Sequence, residues 1–336
     1  MKIWLLFHGE MTIEYPEYEE CLRLQEEAAK LGHSLDILSP EDFDLVIDST
    51  DEWRAIYKGE YIAPPDLIIP RTGAETDYIG FSILRFYESL NIPMLNSPEA
   101  IETVADKIQT AQRLASKGFP IPRTILSKFP VNTAMVEEKL GFPLVIKTLR
   151  GTRGGGVFLA QTKEQFDDVT ALIASSNPNI HFLFQEYISR SHGRDLRVFV
   201  AGNKVVACME RKSEGENFKS NISLGGRGRN FPIDDEIRNL SLGVAKALGL
   251  EIAGIDLLFN EGNYEVCEAN SAMGFCGDDG LESVCKINAA KEIIELGVAK
   301  AGNQANRKMP TNENFSSSQL FSKASQLWQR VWKSPR

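Results

Sequence analysis

Asp256, Glu268 and Asn270 are the residues whose types and spacing point most directly to chemistry. Glu268 and Asn270 are two apart, so in a strand they project to one face. Asp256 lies in the apolar run Gly254-Ile255-Asp256-Leu257-Leu258, where a lone carboxylate is costly to bury. If the two segments pair as a hairpin, three hard oxygen ligands come together. That set suits Mg2+, whose shell is completed by substrate phosphates and water. The competing reading, three polar residues on a solvent-facing edge, fits poorly with the apolar flanks.

A second group of residues suits a polyphosphate. The loop Gly151-Thr152-Arg153-Gly154-Gly155-Gly156 sits between two apolar segments, and its four glycines let backbone N–H groups approach phosphates closely. A P-loop would need Lys and then Ser or Thr after Gly156, where Val157 and Phe158 stand; the dinucleotide pattern Gly-x-Gly-x-x-Gly is also broken. A hairpin loop closing over phosphates and a merely flexible hairpin both remain open. Lys147 ends Leu144-Val145-Ile146-Lys147 just before this loop, and Lys107 stands at a helix start, Asp106-Lys107. Either ammonium can neutralise phosphate oxygens, although a lone lysine is more often a solvated surface charge.

Phe184-Gln185-Glu186-Tyr187-Ile188 passes from apolar strand to polar groups. Such an end can offer its backbone to an adenine edge, with Glu186 or Asp195 on ribose hydroxyls; a plain strand end is the alternative. Arg211 ends another apolar segment, Lys219-Ser220-Asn221 follows, and then Gly225-Gly226-Arg227-Gly228-Arg229. Together these cationic and amide donors suit carboxylate or phosphoryl oxygens.

The elements that must hold these residues divide along the chain. The first lobe alternates strands (Ile3–Phe7, Leu35–Leu38, Leu67–Ile69) with helical stretches (Tyr15 to Leu31, Asp77–Leu90), which implies a parallel sheet. Ser97-Pro98-Glu99 opens a helix with Ser as N-cap, and a further helical run from Asp106 ends at Gly118. From Leu144 the pattern becomes antiparallel. Strands are expected at Leu144–Lys147, Val157–Ala160 and Phe182–Gln185, with a helix near Lys163–Ala174. Two strand pairs follow: Leu196–Val200 with Val205–Glu210, and Gly254–Phe259 with Tyr264–Glu268. The expected class is therefore α/β in the first lobe and α+β beyond it. The lobes are placed at 1–97, 98–184 and 185–302. A polar linker and basic tail fill 303–336.

At 336 residues with 43% hydrophobic content, the chain can bury a substantial core without disulfides. Five cysteines without a Cys-x-x-Cys pair read as free thiols of a reducing compartment. The net charge of −9 argues against nucleic acid as a partner. The apolar run Ile3–Phe7 is too short for a signal peptide and no stretch approaches a membrane span, so a soluble cytoplasmic protein is expected.

Taken in order, these segments resemble the RimK-like branch of the ATP-grasp ligases over roughly residues 67–300. The resemblance is carried by Ile69-Pro70-Arg71, Leu95-Asn96-Ser97, Asp106-Lys107, Val145-Ile146-Lys147, Gly151–Gly156 and Gln185-Glu186-Tyr187-Ile188. It continues through Gly193-Arg194-Asp195-Leu196-Arg197, Lys219-Ser220-Asn221, Gly254-Ile255-Asp256 and Glu268-Ala269-Asn270. It implies an ATP-grasp fold with a Rossmann-like pre-ATP-grasp lobe. Within the family, Ser191-His192-Gly193-Arg194-Asp195 and Val266-Cys267-Glu268-Ala269-Asn270 look more like the branch that makes N-acetylaspartylglutamate or β-citrylglutamate. The branch that adds glutamate to a ribosomal protein carries Ser-Pro-Gly just after the metal Asn, where this chain reads Ser271-Ala272-Met273.

The resemblance implies roles at matched positions. Lys107, Lys147 and the loop at Gly151, Thr152, Gly154 and Gly155 would contact ATP phosphates. Gln185, Glu186, Tyr187 and Ile188 would hold adenine, with Asp195 by the ribose. Lys219, Ser220 and Asn221 would line the cleft. Asp256, Glu268 and Asn270 would bind two Mg2+ ions, for which Mn2+ can substitute. Arg211 would lie by the reacting phosphoryl group. Arg71, Asn96, Arg197, Arg227 and Arg229 are candidate substrate contacts. The reaction implied is activation of a carboxylate as an acyl phosphate and its capture by the amino group of glutamate. The partners expected are a small-molecule carboxylate and glutamate, and the sequence leaves a homo-oligomer open. A protein C-terminus as acyl substrate, a small-molecule kinase and a non-catalytic ATP-binding protein are the alternatives. His-Arg-Asp and Asp-Phe-Gly motifs are absent, which argues against a protein kinase.

The tail differs from the rest. Arg307, Lys308, Lys323, Arg330, Lys333 and Arg336 stand against Glu313 alone. Leu320, Ala324, Leu327 and Val331 fall at helical spacing beside Trp328 and Trp332. Packing on the acidic body or a neighbouring subunit, a lack of order, and weak anchoring to a partner or an anionic surface are all consistent with this composition. On the anchoring reading, truncation after Gly302 leaves turnover of soluble substrates intact and abolishes co-sedimentation with anionic vesicles or capture of the partner. Loss of solubility or activity on truncation would make the tail part of the fold.

Overall fold

The computed structural model describes residues 1–9, 17–47, 54–149, 156–176, 179, 181–215, 217–222 and 225–306. The glycine-rich loop positions Gly151, Thr152, Gly154 and Gly155 lie outside the described residues, as does the tail from 307 to 336.

The first lobe contains β1 (Lys2–Leu6), α1 (Tyr18–Lys30), β2 (Ser34–Leu38), the short strands β3 (Phe43–Val46), β4 (Arg54–Tyr57) and β5 (Glu60–Tyr61), then β6 (Leu67–Pro70) and α2 (Tyr78–Ser89). β1 pairs in parallel with β2 and β6, in the order β2-β1-β6, as alternating strands and helices require. The strands read as apolar runs because both faces are covered; Ile3, Trp4, Leu5, Leu67 and Ile68 are fully buried. The antiparallel ribbon β3-β4-β5 was not foreseen. Its strands, of two to four residues, are too short to show a period.

Two helices bridge the lobes, α3 (Pro98–Ala105) and α4 (Lys107–Ser116). Each begins where its capping side chain sits. Ser97 Oγ accepts from the Ala100 N–H, and Asp106 Oδ1 accepts from Ile108 and Gln109. The second lobe follows as β7 (Thr124–Ser127), α5 (Thr133–Leu140), β8 (Leu144–Thr148), β9 (Val157–Ala160), α6 (Lys163–Ser176) and β10 (Phe182–Glu186). These strands form an antiparallel sheet ordered β7-β10-β8-β9.

The third lobe holds β11 (Arg194–Ala201), β12 (Lys204–Lys212), β13 (Arg227–Asn230), α7 (Asp235–Leu248), β14 (Ile252–Asn260), β15 (Asn263–Asn270), α8 (Leu281–Cys285) and α9 (Ala289–Asn306). Its strands run antiparallel in the order β13-β12-β11-β14-β15. α7 carries signals the sequence reading passed over. Asp234 caps its start, accepting from Ile237, and Gly249 ends it at φ 73°. α9 runs to Asn306, past the Asn303 at which a linker was expected to begin, so the truncation is better placed after Asn306. All five cysteines are free, as expected. Among the described residues no helix is long and apolar enough to cross a membrane.

The first and third lobes share one core. Ile3, Leu5 and Leu24 pack with Phe199, Met273, Phe275, Ile293 and Ile294. Polar ties cross the same seam. Glu20 Oε1 accepts from Phe275 and Cys276 backbone N–H groups, and the Arg23 guanidinium reaches Glu282 and Asn288.

Asn96, expected to touch substrate, is instead a strut within this seam. Its Nδ2 donates to the Ile252 and Ser271 carbonyls, and its Oδ1 accepts from the Glu251 and Ile252 N–H groups. All four positions are used and the residue is 1% exposed, which leaves nothing for a ligand. Replacing it with Ala strands four buried backbone groups. Asn96→Ala is expected to lower unfolding free energy by about 3 kcal/mol in a urea titration, because each unsatisfied group costs roughly 1–3 kcal/mol. A loss below about 1 kcal/mol would remove the strut role.

Candidate active site

Four of the five strands place a row of charge across one face of the third-lobe sheet. Antiparallel register sets Arg211 on β12 opposite Asp195 on β11, Arg197 on β11 opposite Asp256 on β14, and Asp256 opposite Glu268 on β15. Asp195 and Arg197 are two apart and so share the face. The Arg211 Nε donates to Asp195 at 2.8 Å, and its Nη2 donates to both Asp195 and Asp256, the latter at 2.9 Å. Arg197 holds Asp256 from the other side through Nε and, at 2.8 Å, through Nη2.

This row is buried, which makes its charges interdependent. Burial acts against the charge of Arg211, and the carboxylates of Asp195 and Asp256 more than offset it and raise its pKa. Burial likewise acts to raise the pKa of Asp256, and Arg197 and Arg211 hold the carboxyl below the usual carboxylate range. Both groups are therefore charged at neutral pH, and Nη1 of Arg211 is the donor not committed to these two carboxylates.

A cavity opens over the row, between the second and third lobes. Lys147 leans in from β8, its Nζ 2.6 Å from Gln185 Oε1, while Gln185 Nε2 donates to Thr124. Lys107, on the first turn of α4, reaches Glu268 at 3.5 Å. Every described residue assigned from sequence to nucleotide or phosphoryl contact lines this cavity, namely Lys107, Lys147, Gln185, Glu186, Tyr187, Ile188, Asp195, Arg211, Lys219, Ser220 and Asn221. Asp256 and Glu268 line it as well. Val145, Ile188 and Leu258 supply apolar walls that suit a base.

A second cavity adjoins it, with Lys107 and Glu268 in the shared wall. Arg71 and Asn270 line this one, together with His8 and Thr72 of the first lobe. Arg197 lines neither cavity and acts through Asp256. Arg227 and Arg229, on β13, line neither. Their guanidinium groups are largely exposed and pair with Glu214 and Glu210. The substrate contacts expected of these three are not formed by residues facing either cavity.

Sequence reasoning missed Cys267 and His8. Strand alternation turns Cys267 away from the face of Glu268. The register, however, shifts between Asp256 and Leu257, because Glu268 pairs with Asp256 and Val266 with Leu257. Cys267 is thus the extra residue of a bulge, and it too reaches the cavity, 3.7 Å from Lys147 Nζ. Burial pushes its thiol pKa up, and the Lys147 ammonium pulls the other way. His8 follows β1 in a loop and carried no spacing signal.

Solved structures share this architecture. The ATP-grasp ligase PsnB complexed with minimal precursor matches with a TM-score of 0.68 at 19% identity, over 89% of this chain and 98% of that one. D-alanine–D-alanine ligase from Bacillus anthracis complexed with ATP matches at 0.64 and 16% identity, over 92% and 100%. Likeness at such identity is one of fold, and the fold is ATP-grasp. The family is set by sequence: the RimK PreATP-grasp domain matches residues 1–101 and the RimK-like ATP-grasp domain residues 104–296. A probable alpha-L-glutamate ligase from Coxiella burnetii (strain RSA 493 / Nine Mile phase I) is 36% identical over 281 residues, 83% of this chain and 91% of its own. One from Enterobacter sp. (strain 638) is 35% identical over 275 residues, 82% and 90% respectively. The chain belongs to the RimK-like ATP-grasp family and is an ATP-dependent ligase. The family works with ATP and Mg2+.

The residues fit such an ion. Asp256 and Glu268 are paired across β14 and β15, and Asn270 Nδ2 is buried with no hydrogen-bond partner. A half-turn of that amide puts its oxygen in the orphaned position, where a cation would satisfy it. Asp256 Oδ2 accepts from two arginines and Oδ1 from Arg197 Nε alone, so Oδ1 keeps its second lone pair for a metal.

The ion row carries a test of its own. Asp195→Asn leaves Arg211 buried beside one carboxylate instead of two. Breaking a buried pair in this way costs about 3 kcal/mol, read as a lower urea midpoint at unchanged slope. A cost under about 1 kcal/mol would mean that water screens the row.

Proposed function

We propose that this chain joins a carboxylate, activated by ATP as an acyl phosphate, to the α-amino group of glutamate. We further propose that the acyl substrate is a small anionic acid of the kind typified by N-acetylaspartate or citrate. Two observations of different kinds support this. The relatives are named alpha-L-glutamate ligases. The segments around Ser191–Asp195 and Val266–Asn270 resemble the branch acting on small acids rather than the branch acting on a ribosomal protein.

The observation that carries the mechanism is the pair of adjoining cavities with Lys107 and Glu268 between them. ATP occupies the larger one. Backbone at Glu186 to Ile188 meets the adenine edge, Lys147 and Lys107 meet phosphate oxygens, and Lys219, Ser220 and Asn221 close the side. Asp195 is held against Arg211, so it orients that guanidinium while bordering the ribose. The acid enters from the second cavity, its carboxylate arriving beside Lys107 in line with the terminal phosphate. As a carboxylate oxygen bonds to the γ-phosphorus, the bond from that phosphorus to the β-phosphate oxygen breaks and ADP leaves; the charge this builds on the equatorial oxygens is stabilised by Arg211 Nη1 and Lys107. Asp256, Glu268 and Asn270 would hold two Mg2+ ions, for which Mn2+ could substitute, and such ions would supply Lewis-acid stabilisation of phosphoryl oxygens. The glutamate amine then attacks the acyl carbon, the C–N bond forms and phosphate leaves. Enclosure between the lobes keeps water from the acyl phosphate.

Glu268→Gln, whose side chain is less buried than Asp256 and so safer to replace, is expected to cut turnover about a hundredfold. ATP binding should persist through Lys107 and Lys147. Phosphate release with ATP, Mg2+, glutamate and a panel of acids reads both this loss and the substrate. Equal rates with alanine or glutamine in place of glutamate would remove the glutamate site. Glutamate found by mass spectrometry on a protein but never on a small acid would overturn the choice of acyl substrate.

A further inference from the structure

Arg71 stands immediately after β6 and His8 two residues after β1. The two strands are parallel neighbours, with Leu6 opposite Pro70, so both side chains stand at the carboxyl ends of adjacent strands. Open α/β sheets bind ligands at these ends. Arg71 N–H is fixed to the Leu6 carbonyl at 2.8 Å, which pins the strand ends together.

The Arg71 side chain is 95% buried yet incompletely satisfied. Its Nη2 donates to the Met273 carbonyl at 2.9 Å, and its guanidinium lies 5.6 Å from the centre of the Phe275 ring. Its Nε has no hydrogen-bond partner. His8 Nε2 is likewise buried without one, 3.8 Å from Asp77 Oδ1. Both residues line the second cavity, which shares Lys107 and Glu268 with the nucleotide cavity. Glu17 and Glu75 also line it, each with a partner within the chain, and would repel an anion placed against them. A buried, always-charged guanidinium with an unused donor calls for an acceptor, and a carboxylate fits its planar fork.

We infer that this cavity is a subsite for the non-reacting carboxylate of a small dicarboxylic acid, with Arg71 as its binding residue and His8 on the neighbouring strand end as a second donor. The inference rests on the ligase reading above and narrows its substrate class. The reacting carboxylate lies at the Lys107–Glu268 wall and the second one at the strand ends. Acids with a single carboxylate leave the Arg71 donor unsatisfied and are discriminated against.

The test compares glutarate and succinate with their monoamides, which keep a single carboxylate, measured by calorimetry on the full chain with ADP and Mg2+ present, and by acid-dependent phosphate release. Wild type is expected to bind the dicarboxylates at least tenfold more tightly than the monoamides. Arg71→Gln should weaken dicarboxylate binding tenfold or more and erase the discrimination, with the KM for ATP unchanged. His8→Phe should give a smaller loss, about threefold or more, and decides the matter if Arg71→Gln does not fold. The inference is overturned if wild type binds no dicarboxylate or binds acid and monoamide alike. It is equally overturned if His8→Phe leaves both affinities unchanged, or if the variants raise the KM for the amine and not for the acid. Discrimination present without any amine-dependent product would keep the subsite and remove the ligase reading.

Discussion

The buried row Arg211–Asp195–Arg197–Asp256 is the interaction on which the rest of the site depends. Each carboxylate lies opposite an arginine on the neighbouring strand, and two arginines converge on Asp256. A buried carboxylate by itself would take up a proton, and a buried arginine alone would be severely destabilising. Alternation of sign lets Arg211 and Asp256 keep their charge inside a sheet, where the low local dielectric strengthens whatever they touch. That arrangement keeps Asp256 anionic and leaves Arg211 Nη1 uncommitted to either carboxylate.

The row would be of little use if the lobes could slide. The first lobe is locked to the third by a shared apolar core and by polar groups that reach into backbone. Asn96 clamps the start of β14 to Ser271, just past the end of β15, and Glu20 grips the chain at Phe275 and Cys276. Arg71 joins the same seam through Met273. The cavity bearing Arg71 is therefore held at a fixed place against the wall formed by Lys107 and Glu268. Positioning of this kind lowers the entropic cost of bringing two reacting groups together.

Much of this was legible in the sequence. The capping residues Ser97 and Asp106 fixed where α3 and α4 begin, because a short polar side chain before a helix has one low-cost use. The hairpin pairing Asp256 with Glu268 followed from apolar periodicity. Less was visible where contacts are non-local. Asn96 reads like any polar residue before a helix, and only β14 arriving beside it turns it into a strut. Arg227 and Arg229 looked like anion receptors beside glycines, yet β13 is an edge strand and turns them toward Glu214 and Glu210. The bulge at Cys267 shifts the register by one residue, a change that alternation within a single strand does not reveal.

The sequence by itself determined the chemistry available to this protein. It supplied lysines at the ends of a strand and a helix, two carboxylates and an amide at strand spacing, and arginines within apolar segments. These follow from residue type and short-range periodicity, which are local properties of the chain. The tertiary structure alone decided how the charges neutralise one another, which candidates face a cavity, and that a second cavity shares a wall with the first. Those outcomes depend on strand order and lobe docking. Both are set by the burial of surfaces far apart in sequence, such as β1 and α1 against β11 and α9.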